Sequence, residues 1–198
     1  MPWSPLAAGG RASPGTLAAL ALEQHRVIPA DRRAFRHLAQ RASGEPAAAG
    51  FFAMPAEGEE LAAARLGAFA EACDVDDGRM RAYEPLAGCQ AYPAYISWPA
   101  LDAAPADAVL AVTADFATWG TYCATIAQGL RTHYGFSDEA CAFFDLFAAP
   151  VPALDEQAEA AVQAGLESGR LDEKRVYTYD RLLQACEEMF WTSLTARP

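Results

Sequence analysis

Residues 171–194 read LDEKRVYTYDRLLQACEEMFWTSL and carry the clearest structural pattern in this sequence. Apolar side chains recur along them every three or four positions, which is the spacing of one buried helix face. Glu187 falls inside that stripe, between Leu183 and Phe190. The pattern predicts a long terminal helix that turns one carboxyl group toward the core, whereas Glu188 points about 100° away from it.

Glu187 is therefore a candidate catalytic residue. Burial without a cationic partner raises the pKa of a glutamate and prepares it to donate a proton near neutral pH. The alternative is a structural role, in which Glu187 accepts a hydrogen bond from a tyrosine or arginine across the helical bundle. The sequence leaves both roles open.

The composition of the whole chain predicts an all-α fold. Its 198 residues are 53% hydrophobic, which is enough to form the core of one domain. Strong helix formers dominate, with 46 Ala and 18 Leu against 7 Val and 3 Ile. We expect seven to nine helices, with residues 1–15 as a flexible leader and residues 16–198 as a single domain.

Charge excludes several classes of partner. Acidic residues outnumber basic residues by 26 to 15, which leaves a net charge of -11, so phosphate backbones and anionic lipids are repelled. No transmembrane segment is predicted, and the five scattered cysteines are typical of reduced thiols. We therefore expect a cytoplasmic protein that binds neither nucleic acid nor membranes. Zinc, phosphate-loop, GxSxG and CxxC motifs are absent from the sequence, so we expect no metal and no cofactor.

Prolines predict where the helices are interrupted. Pro29 is expected to separate two N-terminal helices, and residues 43–60 are expected to form a loop. Pro93 and Pro99 predict short, kinked helical pieces. The acidic run at residues 74–78 predicts a turn that ends a helix, because its spacing does not fit a calcium-binding loop.

The longest central helix is predicted over about residues 105–130, and it carries polar groups into the core. Asp115, Thr118, Trp119 and Tyr122 share one side of this helix between apolar flanks. They could contact a ligand. The alternative is a set of satisfied core residues, with the Thr118 hydroxyl bonded to the carbonyl one turn earlier.

Four segments together resemble the TenA family, the thiaminase II or aminopyrimidine aminohydrolase group with a haem-oxygenase-like fold. CEEMFWTSL is similar to the closing pattern of the family, and this similarity implies that Glu187 takes the place of its catalytic acid. AFAEACDVDDGRMRAYEPLAGCQAYPAYISW resembles the stretch that carries an active-site tyrosine, here Tyr95. ADRRAFRHLA resembles the helix of the pyrimidine-binding aspartate, here Asp31, and FFDLF supplies Phe147 where a second pocket tyrosine usually stands.

The fourth segment, AVLAVTADFATWGTYCATIAQGL, resembles the one that carries the nucleophilic cysteine of the family. Ala117 stands at the position of that cysteine, or Thr118 if the helix is slipped by one residue. Cys123 lies about 240° around the helix from position 117 and does not substitute for it. The resemblance thus implies a family member without the cysteine nucleophile.

The function implied by this resemblance is hydrolysis at a C–N bond of a thiamin-related aminopyrimidine, with Glu187 as acid and base. The ligand is expected to be a small heteroaromatic molecule, and the resemblance also implies a homo-oligomer such as a tetramer. The residues expected to bind the substrate are Asp31, Tyr95, Thr118, Trp119, Tyr122 and Phe147.

Two alternatives belong to other functional classes. The chain could be a non-catalytic protein that kept the bundle and binds a small molecule. It could also be a metal-dependent oxidase on the same scaffold, which needs carboxylates and histidines on facing helices. None of the three histidines, His25, His37 and His133, has the ligand spacing that this oxidase requires.

Overall fold

The computed structural model describes residues 9–196, which fold into helices joined by short connections, with no β-strand among them. None of these helices is both long enough and apolar enough to cross a bilayer. Within the described range, eight α-helices and one π-helical turn follow one another, within the predicted seven to nine. They are α1 (Pro14–Arg41), α2 (Pro46–Ala72), α3 (Asp77–Ala82), α4 (Ala87–Asp102), α5 (Pro105–Gly129), the π-helical turn (Leu130–Tyr134), α6 (Asp138–Ala148), α7 (Pro152–Glu167) and α8 (Glu173–Thr195).

The predicted leader overlaps the first helix. Its residues 1–8 lie outside the described range, but α1 begins at Pro14 and is capped by Ser13, whose hydroxyl accepts a hydrogen bond from the Thr16 amide at 3.1 Å. The backbone of Ala12 is also held, because its amide donates to the Tyr134 hydroxyl at 2.8 Å and its carbonyl accepts from that hydroxyl at 3.0 Å.

The proline-based predictions of interrupted helices were wrong. Helix α1 continues through Pro29, and α2 begins at Pro46 and continues through Pro55 where a loop was expected. Helix α4 likewise contains Pro93 and Pro99. Each internal proline removes one backbone hydrogen bond, but burial of an apolar helix face stabilises the helix enough to offset that loss.

The predictions for the acidic run and for the helices after residue 104 are confirmed. The long central helix is α5, and Ser137 caps α6 by accepting a hydrogen bond from the Ala140 amide at 3.2 Å. The predicted terminal helix is α8. The acidic run forms a turn after α2, and its Asp76 caps the short helix α3.

Two buried carboxylates fix the packing of the long helices. Glu23 of α1 accepts hydrogen bonds from the Tyr83 hydroxyl, the Leu86 amide and the Gln90 side chain at 2.6–2.7 Å. Asp107 of α5 accepts from the Asp172 amide at 2.8 Å and pairs with Arg175 at 3.1 Å. Glu23 thus ties α1 to the start of α4, and Asp107 ties the start of α5 to the start of α8.

The hydrophobic core consists of two clusters of buried side chains. One contains Phe69 and Phe144 with Trp191 of the terminal helix. The other contains Phe35 and Phe51 with the first half of α5. Members of both clusters line one cavity between the helices.

Candidate functional site

A cavity of about 780 Å³ lies among helices α1, α2, α5 and α8. Its volume falls within the range of small-molecule binding sites. Residues 146–151, which comprise the end of α6 and its connection to α7, form part of its edge together with Met54 and Leu61 of α2. Val151 and Leu61 remain 45% and 53% exposed, so this edge opens toward solvent.

Aromatic rings form two parts of the cavity wall. On one side, the rings of Trp119 and Trp191 lie 5.9 Å apart and nearly parallel, and Phe147 packs edge-on against Trp119 at 5.7 Å. On the other side, Phe51 and Phe116 lie 6.1 Å apart with their planes tilted by only 21°. Such flat walls suit a flat ligand.

Four buried carboxyl groups line the same cavity, and each comes from a different helix. Asp31 belongs to α1, Glu59 to α2, Asp115 to α5 and Glu187 to α8. None of the four is more than 9% exposed. Glu187 therefore points into the bundle, as the apolar stripe of the terminal helix predicted.

No described cavity-lining residue is an arginine, lysine or histidine. Two exposed acidic side chains, Glu57 of α2 and Asp155 of α7, add negative charge to the lining. The cavity is thus a strongly acidic site without a cation of its own among the residues described.

Burial makes the carboxyl groups of the cavity harder to ionise. It raises the pKa of Glu59 to about 8. The pKa of Asp31 lies well above its ordinary value, because of burial first and then the negative charges of Glu59 and Asp115. These groups therefore retain protons at pH values where exposed carboxyl groups have lost theirs.

Asp115 and Glu187 behave in the same way but have hydrogen-bond partners. Burial and the charge of Glu187 raise the pKa of Asp115 to about 7, although the Tyr92 hydroxyl donates to its Oδ2 at 2.8 Å and opposes that rise. Burial raises the pKa of Glu187, opposed by the hydrogen bond that Trp191 Nε1 donates to its Oε1 at 3.3 Å. Asp115 is thus poised to exchange a proton near neutral pH, and the pKa of Glu187 is shifted in the same direction.

Three of the carboxyl groups have an oxygen that is not satisfied within the described part of the protein. Asp31 Oδ1, Asp115 Oδ1 and Glu187 Oε2 are buried and accept no hydrogen bond there. Because an unsatisfied buried polar atom is costly, these oxygens favour a bound molecule that offers hydrogen-bond donors.

The structure brings four of the predicted site residues together. Asp31, Trp119, Phe147 and Glu187 all line the cavity. They come from α1, α5, α6 and α8, so their proximity depends on the packing of the whole bundle.

Three other predicted site residues lie outside the cavity lining. The Thr118 hydroxyl donates to the Ala114 carbonyl at 3.0 Å, which is the structural alternative expected for it, whereas Ala117 lines the cavity. Tyr122 packs edge-on against Trp191 at 5.9 Å between ring centres. The Tyr95 hydroxyl donates to the backbone carbonyl of Tyr179 at 3.2 Å.

Glu59 and Tyr92 line the cavity although the sequence patterns did not predict them as site residues. One face of α2 carries Phe51, Pro55 and Glu59, which are spaced by four residues. Because residues 43–60 were predicted as a loop, this helical spacing did not identify Glu59 as a site residue. Tyr92 lies one turn before Tyr95 on α4, which brings it rather than Tyr95 to Asp115.

Among residues 9–196, no three side chains of the His, Cys, Asp and Glu types are grouped so that they could hold a metal ion. No protein-family model matches the sequence, and no curated protein matches it either. The resemblance to TenA proteins therefore rests on the four quoted segments.

Proposed function

We propose that this protein is a TenA-like hydrolase that cleaves a C–N bond of a small, thiamin-related aminopyrimidine in the cavity. The observation that carries the proposal is the position of Glu187, a buried carboxyl group that faces a cavity large enough for such a ring. Burial raises its pKa, which supports a role as proton donor.

The proposed reaction replaces an amino group on the exocyclic carbon of the pyrimidine by a hydroxyl group. Glu187 donates its proton to the departing nitrogen, the C–N bond breaks and ammonia leaves. Water forms the new C–O bond, and the proton that this water loses returns to Glu187. The sum is amine plus water giving alcohol plus ammonia, so the carboxyl group is regenerated at each turnover.

The remaining side chains of the cavity bind and orient the ring in this proposal. Asp31 Oδ1 is free to accept a hydrogen bond from the amino-substituted ring edge. Trp119 and Phe147 supply flat apolar contacts. Ala117 lines the wall where the family resemblance implies a cysteine, so the proposed route uses water directly and forms no covalent intermediate with the protein.

Ammonia release from an aminomethyl-aminopyrimidine tests the proposal. The wild-type protein is expected to release ammonia and the hydroxymethyl product in equal amounts. Glu187→Gln is expected to lower kcat by about 10²–10⁴-fold, because the variant cannot donate a proton. Glu188→Gln, one residue along and exposed, serves as the matched control and is expected to keep wild-type turnover. Absence of product with the wild-type protein refutes the proposed activity.

A second candidate function is non-catalytic binding of the same class of ligand. The observation that favours it is Ala117, which places an inert methyl group on the wall of the cavity. This function predicts saturable thermal stabilisation by the aminopyrimidine without any product.

The fold and assembly implied by the resemblance belong to the same proposal. We propose that the helices adopt the haem-oxygenase-like arrangement and that the protein acts in the cytoplasm as a homo-oligomer. Trp98 and Leu101, which are 44% and 64% exposed on α4, support a contact between subunits. Sedimentation equilibrium tests the assembly, and a monomer at micromolar concentration contradicts it.

A further inference from the structure

We infer that the cavity selects a positively charged flat ligand, and that Glu59 together with Asp31 holds its charged, amidinium-like N–C–N edge. The inference rests on the proposed use of this cavity as the ligand site and adds the charge of the ligand. It assigns to Glu59 the selection of a cation over a neutral ring of the same shape.

The charge balance of the cavity is the first observation. Four buried carboxyl groups face it without an arginine, lysine or histidine among the described lining residues. Ionised carboxylates at such a site need either bound protons or a cation to neutralise them. A positively charged ligand supplies this cation, which none of the described lining residues provides.

The second observation is an unsatisfied hydrogen-bond acceptor in the part of the cavity that Asp31 and Glu59 line. Asp31 is only 4% exposed, lines the cavity and has an Oδ1 atom that accepts no hydrogen bond from the residues described. Glu59 lies close enough for its charge to act on Asp31, and it comes from the neighbouring helix. Two carboxyl groups can accept hydrogen bonds from two N–H groups of one planar cation.

The third observation is the aromatic surface that accompanies the two acids. Phe35 lies one helical turn after Asp31, and Phe51 lies two turns before Glu59 on the same face of its helix. Phe116 packs on both rings, at 5.6 Å from Phe35 and 6.1 Å from Phe51. Aromatic faces attract flat cations more strongly than they attract neutral rings.

Selection of a cation by these groups depends on pH. Glu59 has a pKa of about 8, so a cation that binds beside it displaces a proton, and its affinity rises as the pH increases from 6 to 9. Arg32 and Arg36 of α1 pair with the neighbouring Glu60, and burial raises the pKa of the Cys123 thiol of α5, on which the charge of Glu59 also acts, so none of these groups reverses this direction. Apart from Asp31 itself, the titratable groups that line the cavity with Glu59 are all acidic or phenolic. They are Tyr92 of α4, Asp115 of α5, Glu187 of α8 and, in the outer lining, Glu57 and Asp155.

Benzamidine and benzamide test the inference, because they share one shape while only benzamidine is charged between pH 6 and 9. Calorimetric titration of the full-length protein at pH 9 is expected to give at least about tenfold tighter binding of benzamidine. The preference is expected to shrink at pH 6, where Glu59 is protonated. Glu59→Gln is expected to reduce the preference at pH 9 to less than about threefold.

The matched control is Glu60→Gln, because Glu60 is the next residue on α2 but is exposed and pairs with Arg32 and Arg36. It is expected to keep the full preference for benzamidine. Circular dichroism of each variant establishes that the helices are retained.

Equal binding of the two probes, no binding of either, or an unchanged preference in Glu59→Gln overturns the inference. These outcomes are distinct from failure of the proposed hydrolysis. A protein that prefers benzamidine but releases no ammonia retains the charge selectivity and loses only the activity. A protein that hydrolyses a neutral aminopyrimidine and shows no preference retains the activity and loses the selectivity.

Discussion

The Tyr92 hydroxyl donates a hydrogen bond of 2.8 Å to Asp115 Oδ2, and this contact joins α4 to α5 on the wall of the cavity. Tyr92 is thereby the partner of a carboxyl group whose second oxygen accepts nothing from the residues described. The contact lowers the pKa of Asp115 against the opposing effect of burial, so it favours the ionised form.

Tyr92→Phe is expected to destabilise the protein by about 1–3 kcal/mol at pH 8, because it leaves a buried carboxylate without its donor. Urea unfolding measures the change. Tyr177→Phe, which removes the hydroxyl of a tyrosine that is 67% exposed, is the control and is expected to change stability little. Equal effects of the two substitutions contradict the role given to the contact.

The free energy of unfolding is expected to fall as the pH increases from 5 to 9. Glu59 and Asp115 have pKa values of about 8 and about 7 in the folded protein, above their ordinary values of 4.5 and 3.8. The folded state therefore holds protons that the unfolded state has released, and stability is lost as the pH rises above the ordinary values and through the raised ones.

Urea unfolding between pH 5 and 9 measures this dependence. Each unit of pKa difference corresponds to about 1.4 kcal/mol, and Glu59→Gln is expected to flatten the profile because its amide does not titrate. Stability that stays constant or increases over this range contradicts the burial of the two carboxyl groups.

Glu23→Gln is expected to cost about 2–4 kcal/mol of stability, because an amide nitrogen replaces one of the oxygens that accept three hydrogen bonds. The Gln90 amide can rotate to accept from the new NH2 group, so the loss arises because the Tyr83 hydroxyl and the Leu86 amide then donate to a neutral oxygen instead of a carboxylate. Denaturant unfolding of Glu23→Gln is compared with that of the exposed α7 variant Glu156→Gln. A loss below about 0.5 kcal/mol in Glu23→Gln, the size typical of a surface substitution, refutes the expectation.

Gly165→Ala and Gly67→Ala are expected to change stability in opposite directions. A methyl group at Gly165 would lie 2.5 Å from the Ala106 side chain, where α7 packs against α5, and such overpacking costs about 1–3 kcal/mol. A methyl group at Gly67 of α2 meets nothing within 4 Å, so the substitution is expected to gain up to about 1 kcal/mol from helix propensity. Thermal unfolding of both variants measures the two signs, and destabilisation by Gly67→Ala would contradict the open surroundings of that residue.

The sequence predicts the helices with continuous apolar periodicity and fails where prolines interrupt it. Helices α5 and α8 were predicted almost to their ends, because each carries a long apolar stripe along one face and is flanked by turns in the sequence. Helix α1 was divided at Pro29 and the first half of α2 was predicted as a loop, because tertiary packing stabilises Pro29 and Pro55 inside a helix, and sequence rules for single segments do not include that packing.

The candidate site was predictable where one helix carries its own signal. Glu187 interrupts an apolar stripe, so its burial follows from spacing alone. Its proximity to Asp31 and Glu59 depends on how three helices cross, which spacing within a helix does not determine. Tyr95 and Tyr92 lie one turn apart on α4, and only the packing of that helix shows which of them faces the cavity.

The most direct test of the account is the pKa of the Glu187 side chain in the folded protein. Carbon-13 NMR of the labelled carboxyl groups follows it, and the resonance that is missing in Glu187→Gln assigns it. The account predicts a pKa above the ordinary glutamate value and a further change when an aminopyrimidine is added. A pKa at the ordinary value of 4.5, unaffected by ligand, would contradict a buried proton donor facing the cavity.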